Sequence, residues 1–146
     1  MREMGLASSL QIRIEVPLPD LELFANRANR RGGFWLRVKL RREARRAAYM
    51  AAMAAMATLP PGSFDDTPWA RARLSLVFCW PRGMVMRDTD SCITALKPSI
   101  DGITDTGLIK DSPKYLDYGS LTHSRLPTPF GGHVVMIVEK LAGGKR

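Results

Sequence analysis

From about Val38 to Ala57 the chain is dominated by Arg, Ala and Met, and Thr58-Leu59-Pro60-Pro61-Gly62 ends the run abruptly. Unbranched and small side chains lose little rotamer freedom in a helix, and a Pro-Pro-Gly segment cannot continue one. A helix of about five turns is expected here, and any fold must be built around it. Arg41 and Arg45, like Arg42 and Arg46, stand four residues apart, so the first half of the helix presents a basic face. Met50, Met53, Met56 and the alanines are expected to pack its second half. The uncharged stretch from Ala47 to Pro61 falls short of the about 20 apolar residues a bilayer span needs, so no membrane partner is expected.

Strand signals flank this helix. Leu10, Ile12, Ile14 and Val16 alternate with Gln11, Arg13 and Glu15 until Pro17 and Pro19, which reads as a half-exposed strand. Residues 20 to 36 lack a period and read as a loop bearing basic side chains. Leu74, Leu76, Phe78 and Trp80 alternate again, closed by Pro81-Arg82-Gly83. Residues 91 to 106 suit a second helix, with Pro98 tolerable only in an early turn. A third strand is expected within Lys114 to Arg125. Val134 to Val138, apolar on both parities, suits a strand buried on both faces. The expected fold is α/β (α+β): one domain over residues 1–146, a small mixed sheet of about four strands and two main helices, in the order β-α-β-α-β-β. With 146 residues, 45% of them hydrophobic, the chain can bury one core, and a disordered or collagen-like chain is excluded.

The charge is unevenly placed. Lys and Arg number 22 against 14 acids, a net +8, and 16 of the 22 are Arg, whose planar fork suits phosphates. Arg27, Arg30, Arg31, Arg37, Lys39, Arg41, Arg42, Arg45 and Arg46 face a single acid, Glu43, in the same stretch. This basic lobe, with Arg82 and Arg87 further on, is the candidate surface for a polyanion such as DNA. Asp88 to Asp117 holds six aspartates, which would repel that polyanion unless a bound cation stood between carboxylate and phosphate. Cys79 and Cys92 lack metal-site spacing and follow no secretory leader, so a reducing cytoplasm is expected.

The acids carry the candidate chemistry. Asp88-Thr89-Asp90, if extended, would point both carboxylates to one side, where they repel unless they meet cations or a hard divalent metal. A helix cap is the plain alternative for such an aspartate. Lys97 and Asp101 stand four apart on one helix face, and Asp111 falls in the Lys110-Asp111-Ser112-Pro113 turn. Their plain alternatives are a surface ion pair and a turn residue. His123 and His133 share no spacing with the acids and read as ordinary strand or turn residues.

Asp88-x-Asp90, then Lys97-Pro98-x-x-Asp101-Gly102-Ile103, then Gly107-Leu108-Ile109-Lys110-Asp111-x-Pro113, resembles the pattern of RusA-type Holliday junction resolvases, crossover junction endodeoxyribonucleases often carried by phages and prophages. The specific part spans Asp88 to Pro113, while the general layout covers nearly the whole chain. The resemblance implies a homodimer that binds Mg²⁺, or Mn²⁺, through aspartates and cuts two symmetric strands of a four-way DNA junction, in a bacterial or phage-infected cell. Carried over by position, Asp88, Asp90 and Asp111 would be the essential acids and metal ligands. Lys97 would be the lysine near the scissile phosphate, with Asp101 supporting it. Ser91 stands where the family usually has Asn, and Lys110 where it has the first Asp of a pair. Two alternatives stand beside this reading: a basic nucleic-acid-binding protein without catalysis, and a degenerate member that has lost its metal.

Overall fold

In the structure, a computed structural model, residues 10–24 and 33–142 are described. The first alternating run forms strand β1 over Gln11–Pro17, with Ile12, Ile14 and Val16 buried and the residues between them exposed. A single-turn 3-10 helix, Leu21–Leu23, follows, capped by the Asp20 side chain, which accepts from the Glu22 N–H at 2.9 Å. The long helix α1 spans Phe34–Met56, starting four residues before the expected Val38. Its first turn is anchored by Arg37, which is buried against that turn because Gly33 has no Cβ to obstruct the guanidinium.

The second alternating run gives β2, Ala72–Trp80, and helix α2 covers Thr89–Asp105. Pro98 is buried in the middle of α2, not in an early turn. Proline there forfeits the hydrogen bond to the Thr94 carbonyl. Thr94 is exposed, so water can take that carbonyl, while Ala95, Leu96, Ile100 and Ile103 are all buried around it. Burying three such Leu and Ile side chains is worth about 1.5–3 kcal/mol each, enough to offset a local helix penalty of about 3 kcal/mol. Strands β3, Leu116–Arg125, and β4, His133–Lys140, follow.

The four strands form one sheet in the order β1-β4-β2-β3. β4 runs antiparallel to both β1 and β2, whereas β2 and β3 pair in parallel across the α2 crossover. The mixed sheet, two main helices and single domain match the expected class. One sheet face, carrying Ile14, Met136, Leu76 and Phe78, packs on the helices, where Ala48 and Ala52 of α1 and Leu96 and Ile100 of α2 are fully buried. On β4, Val134, Met136 and Val138 meet that core and Val135 is buried on the opposite side, but Ile137 is only half-buried. Burial on both faces therefore holds for part of this strand, because among the described residues no helix lies on the second face, where β1 presents Arg13 and Glu15 to solvent. Trp80 is buried, and its indole N–H donates to His123 Nδ1 at 2.8 Å, so an indole that would be costly unpaired is satisfied.

The pairing of β2 with β3 slips by one residue. Leu74 lies opposite Tyr118 and Leu76 opposite Leu121, so Gly119 and Ser120 together face Ser75. A bulge of this kind re-aims side chains. It needs the glycine, since a Cβ on residue 119 would run into the Ser75 hydroxyl and the Arg73 stem. As a result Tyr118 and Leu121, three residues apart, both join the helix side of the sheet, which strict alternation would forbid.

Candidate active site

Between the β2–β3 edge of the sheet and α2 lies a cleft of about 530 Å³. Leu74, Leu76, Ile93 and Leu121 give it apolar walls, and Lys97, Asp111 and Tyr118 close one end. The Lys97 ammonium donates to Asp111 Oδ2 and, at 3.1 Å, to Asp101 Oδ1. Tyr118 Oη donates to Asp111 Oδ1 at 3.4 Å. Asp111 thus has a partner on each oxygen, drawn from α2 and β3. The hydrogen bond to Asp111 and then that to Asp101 hold the Lys97 ammonium above its ordinary range, against some desolvation. Desolvation first, and the Asp111 charge second, push the Tyr118 phenol up.

The Asp88-x-Asp90 pair is not extended. Asp88 is the N-cap of α2, its Oδ1 accepting from the Ser91 N–H at 2.8 Å, and Asp90 sits in the first turn. The cap geometry overrides the expected two-residue alternation because the helix begins at Thr89, where side chains no longer point to opposite sides in turn. Thr89 lines the cleft, while Asp88 and Asp90 on either side of it in the chain do not; both carboxylates stand at the N-terminus of α2, where negative charge is favoured. The hydrogen bonds from Ser91, backbone first, hold the Asp88 carboxyl below its usual range.

This cap has a pH signature. A carboxyl lowered by folding contributes stability that is present above its ordinary pKa of 3.8 and is lost as the pH falls through the lowered folded value. Asp88→Ala should lower the melting temperature at neutral pH and lose that deficit in strong acid. Asp88→Asn should match wild type at pH 7, since Asn caps about as well, and should not lose its cap in acid. Thermal melts from pH 2 to 7 on the three proteins check this.

Not every expected site residue is gathered. Among the described residues no group of three His, Cys, Asp or Glu is assembled to hold a metal ion. Asp111 is joined to Lys97 and Tyr118 rather than to Asp88 or Asp90. In chemistry the donor set fits a hard divalent cation, since the candidates are all carboxylates and Asp88 commits only one oxygen to its cap; Asp111, with a partner on each oxygen, would have to release one of them to join it. Lys110, in place of the usual first aspartate, turns away from Asp111, with its ammonium 4.9 Å from the centre of the Tyr115 ring.

The basic residues divide. Lys39, Arg41, Arg42 and Arg46 are exposed on α1. Arg41 shares a recess of about 390 Å³ with Lys97 and Thr94, so the exposed arginine face adjoins the cleft. Arg45 is committed elsewhere: its Nε and a terminal nitrogen reach the two Asp105 oxygens at 2.6 and 2.8 Å, clamping α1 to α2. Arg37 is buried and does not belong with the phosphate-facing set, because its guanidinium is taken up beneath the first turn of α1. Arg87 is half-buried with its guanidinium over the Phe24 ring at 5.6 Å, and Arg82 is exposed, donating to the Pro127 carbonyl at 3.2 Å. Arg27, Arg30 and Arg31 lie outside the described residues.

The residue that sequence reasoning missed is Tyr118. Its signal was the isolated glycine after it, since a glycine inside a strand often marks a bulge. No protein-family model matches the chain, and no curated protein matches it. Among the described residues no helix is long and apolar enough to cross a membrane.

Proposed function

We propose that this protein is a structure-selective DNA endonuclease of the RusA type, which resolves four-way junctions by paired, symmetric phosphodiester hydrolysis in recombination and repair. The observation that carries the reading is the union of a Lys97–Asp111–Tyr118 group with an exposed arginine face through one shared recess. Asp88, Asp90 and Asp111 would hold Mg²⁺ or Mn²⁺, whose chemistry there is to make water nucleophilic and to offset the charge gathering on the phosphate.

The chain's own residues do the rest. Lys97 presents a fixed positive charge to the phosphate, and an ammonium held above its ordinary range stays protonated throughout the neutral range. Asp111 and Asp101 orient that ammonium, and Tyr118 fixes the rotamer of Asp111. Arg41, Arg42 and Arg46 with Lys39 bind the flanking phosphates. The near two-fold symmetry of the junction calls for two such sites in fixed relation, hence a homodimer, acting in the reducing cytoplasm of a bacterial or phage-infected cell. Both cysteines, Cys79 and Cys92, are free and buried, and burial pushes the Cys92 thiol up to about 11, which leaves it inert.

The deciding experiment incubates the protein with a synthetic four-way junction and with linear duplex, each with Mg²⁺ and with EDTA. Paired nicks in the junction alone, dependent on metal, are expected. Binding without cutting would favour the second reading, a nucleic-acid-binding protein without catalysis, which the unassembled carboxylates and the capping role of Asp88 support.

The arginine face has its own test. Arg41→Ala, Arg42→Ala and Arg46→Ala combined should weaken junction binding and flatten its salt dependence, by a log–log slope of up to about 0.9 for each phosphate no longer neutralised. Arg45→Ala should instead lower the melting temperature, because Arg45 is held by Asp105. Filter binding at several salt concentrations, beside thermal melts, separates the two effects.

A further inference from the structure

The cleft beside Lys97 has more apolar surface than phosphate chemistry requires. Phosphodiester hydrolysis needs charge, carboxylates and water, yet four aliphatic side chains, Leu74, Leu76, Ile93 and Leu121, form the walls. Its volume, about 530 Å³, is within the roughly 300–1,000 Å³ of small-molecule sites. Tyr118 is 49% exposed, a large apolar ring left open to solvent at the cleft's edge. The ring is held from its hydroxyl end by Asp111 and from its backbone by the bulge that Gly119 permits. A ring fixed at both ends loses little entropy on stacking, which is what a binding platform needs.

The character of the surroundings says what would stack there. On one side the cleft meets Lys97 and, through the shared recess, Arg41, which suit a phosphate. The Tyr118 ring stands beside that ammonium, joined to it through the Asp111 carboxylate, and aliphatic walls continue the cleft. A ligand that is anionic at one end, planar and apolar at the other, and linked across a few ångströms matches this arrangement, and a nucleotide within a strand is such a ligand.

We infer that the cleft between α2 and β3 accepts one unstacked nucleobase from the strand whose phosphate lies at Lys97, with Tyr118 as its stacking face. The inference rests on the DNA-cleaving reading and deepens it. It makes the substrate class branched DNA, because a base at a branch point has already lost part of its stacking and is the least costly to turn out of the helix. Linear duplex would have to give up a full stack and pair.

The test places a single abasic nucleotide at successive positions near the branch of a four-way junction and measures binding in EDTA, so no chemistry is needed. For wild type, one position should weaken binding by about 5- to 150-fold, the usual worth of one base on an aromatic side chain. In Tyr118→Ala that penalty should vanish at the same position, with intact junction bound correspondingly less well. Tyr118→Phe keeps the ring and should keep the penalty. Thermal melts confirm that the variants are folded, as expected for a half-exposed residue on an edge strand. Equal abasic profiles in wild type and Tyr118→Ala would overturn the base subsite while leaving the endonuclease reading standing. Failure to bind any junction would overturn both, and tight binding with the predicted coupling but no Mg²⁺-dependent cutting would leave the subsite and remove the catalytic reading.

Discussion

Asp111→Asn should lower Mg²⁺-dependent cleavage of a four-way junction by at least about 100-fold, the usual cost of removing one preorganised electrostatic group from a transition state. Metal-free binding should be unchanged or tighter. Asn keeps the shape and one acceptor oxygen, so the contact with Tyr118 or with Lys97 can survive, but the charge does not. Removing it frees Lys97 to approach a phosphate and takes away a carboxylate that repels the substrate. The same change should move two titrations. The Lys97 ammonium should fall toward its ordinary range, since its largest support is the hydrogen bond to Asp111. The Tyr118 phenol should come part of the way down and no further, because desolvation, which remains, is its first cause. Cleavage assays, gel shifts in EDTA and an alkaline absorbance titration check the three outcomes. Full cleavage by the variant would remove Asp111 from the chemistry.

The Lys97–Asp111 pair also has a linkage sign. A lysine raised by its partners contributes stability that is complete below its ordinary pKa of 10.5 and is lost as the pH rises through the higher folded value. The stability difference between wild type and Asp111→Asn should therefore persist through neutral pH and shrink only in strong alkali.

Gly102→Ala is the second large effect, and its sign is the informative part. Helix propensity alone expects a gain of about 1 kcal/mol from replacing a mid-helix glycine by alanine. Packing expects the reverse. A Cβ on residue 102 would collide with the Arg45 carbonyl oxygen and lie 2.9 Å from Ala48 Cβ and 3.0 Å from the Tyr49 nitrogen. Two of those three atoms are α1 backbone, which cannot swing aside as a side chain can, so α1 and α2 must separate. Forced overpacking of this kind typically costs about 1–3 kcal/mol. We expect net destabilisation on urea unfolding, together with weaker junction binding as the arginine face shifts from Lys97. A variant more stable than wild type would show that the two helices separate without cost. The glycine of the Asp101-Gly102-Ile103 motif is thus a contact point between helices, and the Arg45–Asp105 clamp lies close by.

The sequence by itself determined the elements whose signal is local. The alternation of Ile12, Ile14 and Val16, and of Leu74, Leu76, Phe78 and Trp80, is the burial pattern of β1 and β2, because strand periodicity needs only one buried face to be expressed. The Arg-Ala-Met run was legible as a helix from its composition, since such side chains lose little freedom there, and the i,i+4 partnership of Lys97 with Asp101 from helix spacing. Ala48, Ala52 and Met56 pack as expected of the run's second half, whereas Met50 and Met53 are exposed. Local reading failed where distant contacts outweighed it. Pro98 sits in mid-helix because the burial around it exceeds the loss of one hydrogen bond. Arg37 and Asp88 turn on near neighbours instead: Gly33 makes room for the guanidinium, and the Ser91 N–H makes Asp88 the helix cap that was the plain alternative to an extended pair. Only the tertiary structure brought Asp111 to Lys97 and turned Tyr118 into the cleft. The first meeting depends on where the α2–β3 connection sets Asp111 against α2, and the second on the parallel pairing of β3 with β2, which puts Tyr118 opposite Leu74; the bulge at Gly119 then brings Leu121 to the same face, since a one-residue shift moves every later side chain to the opposite face.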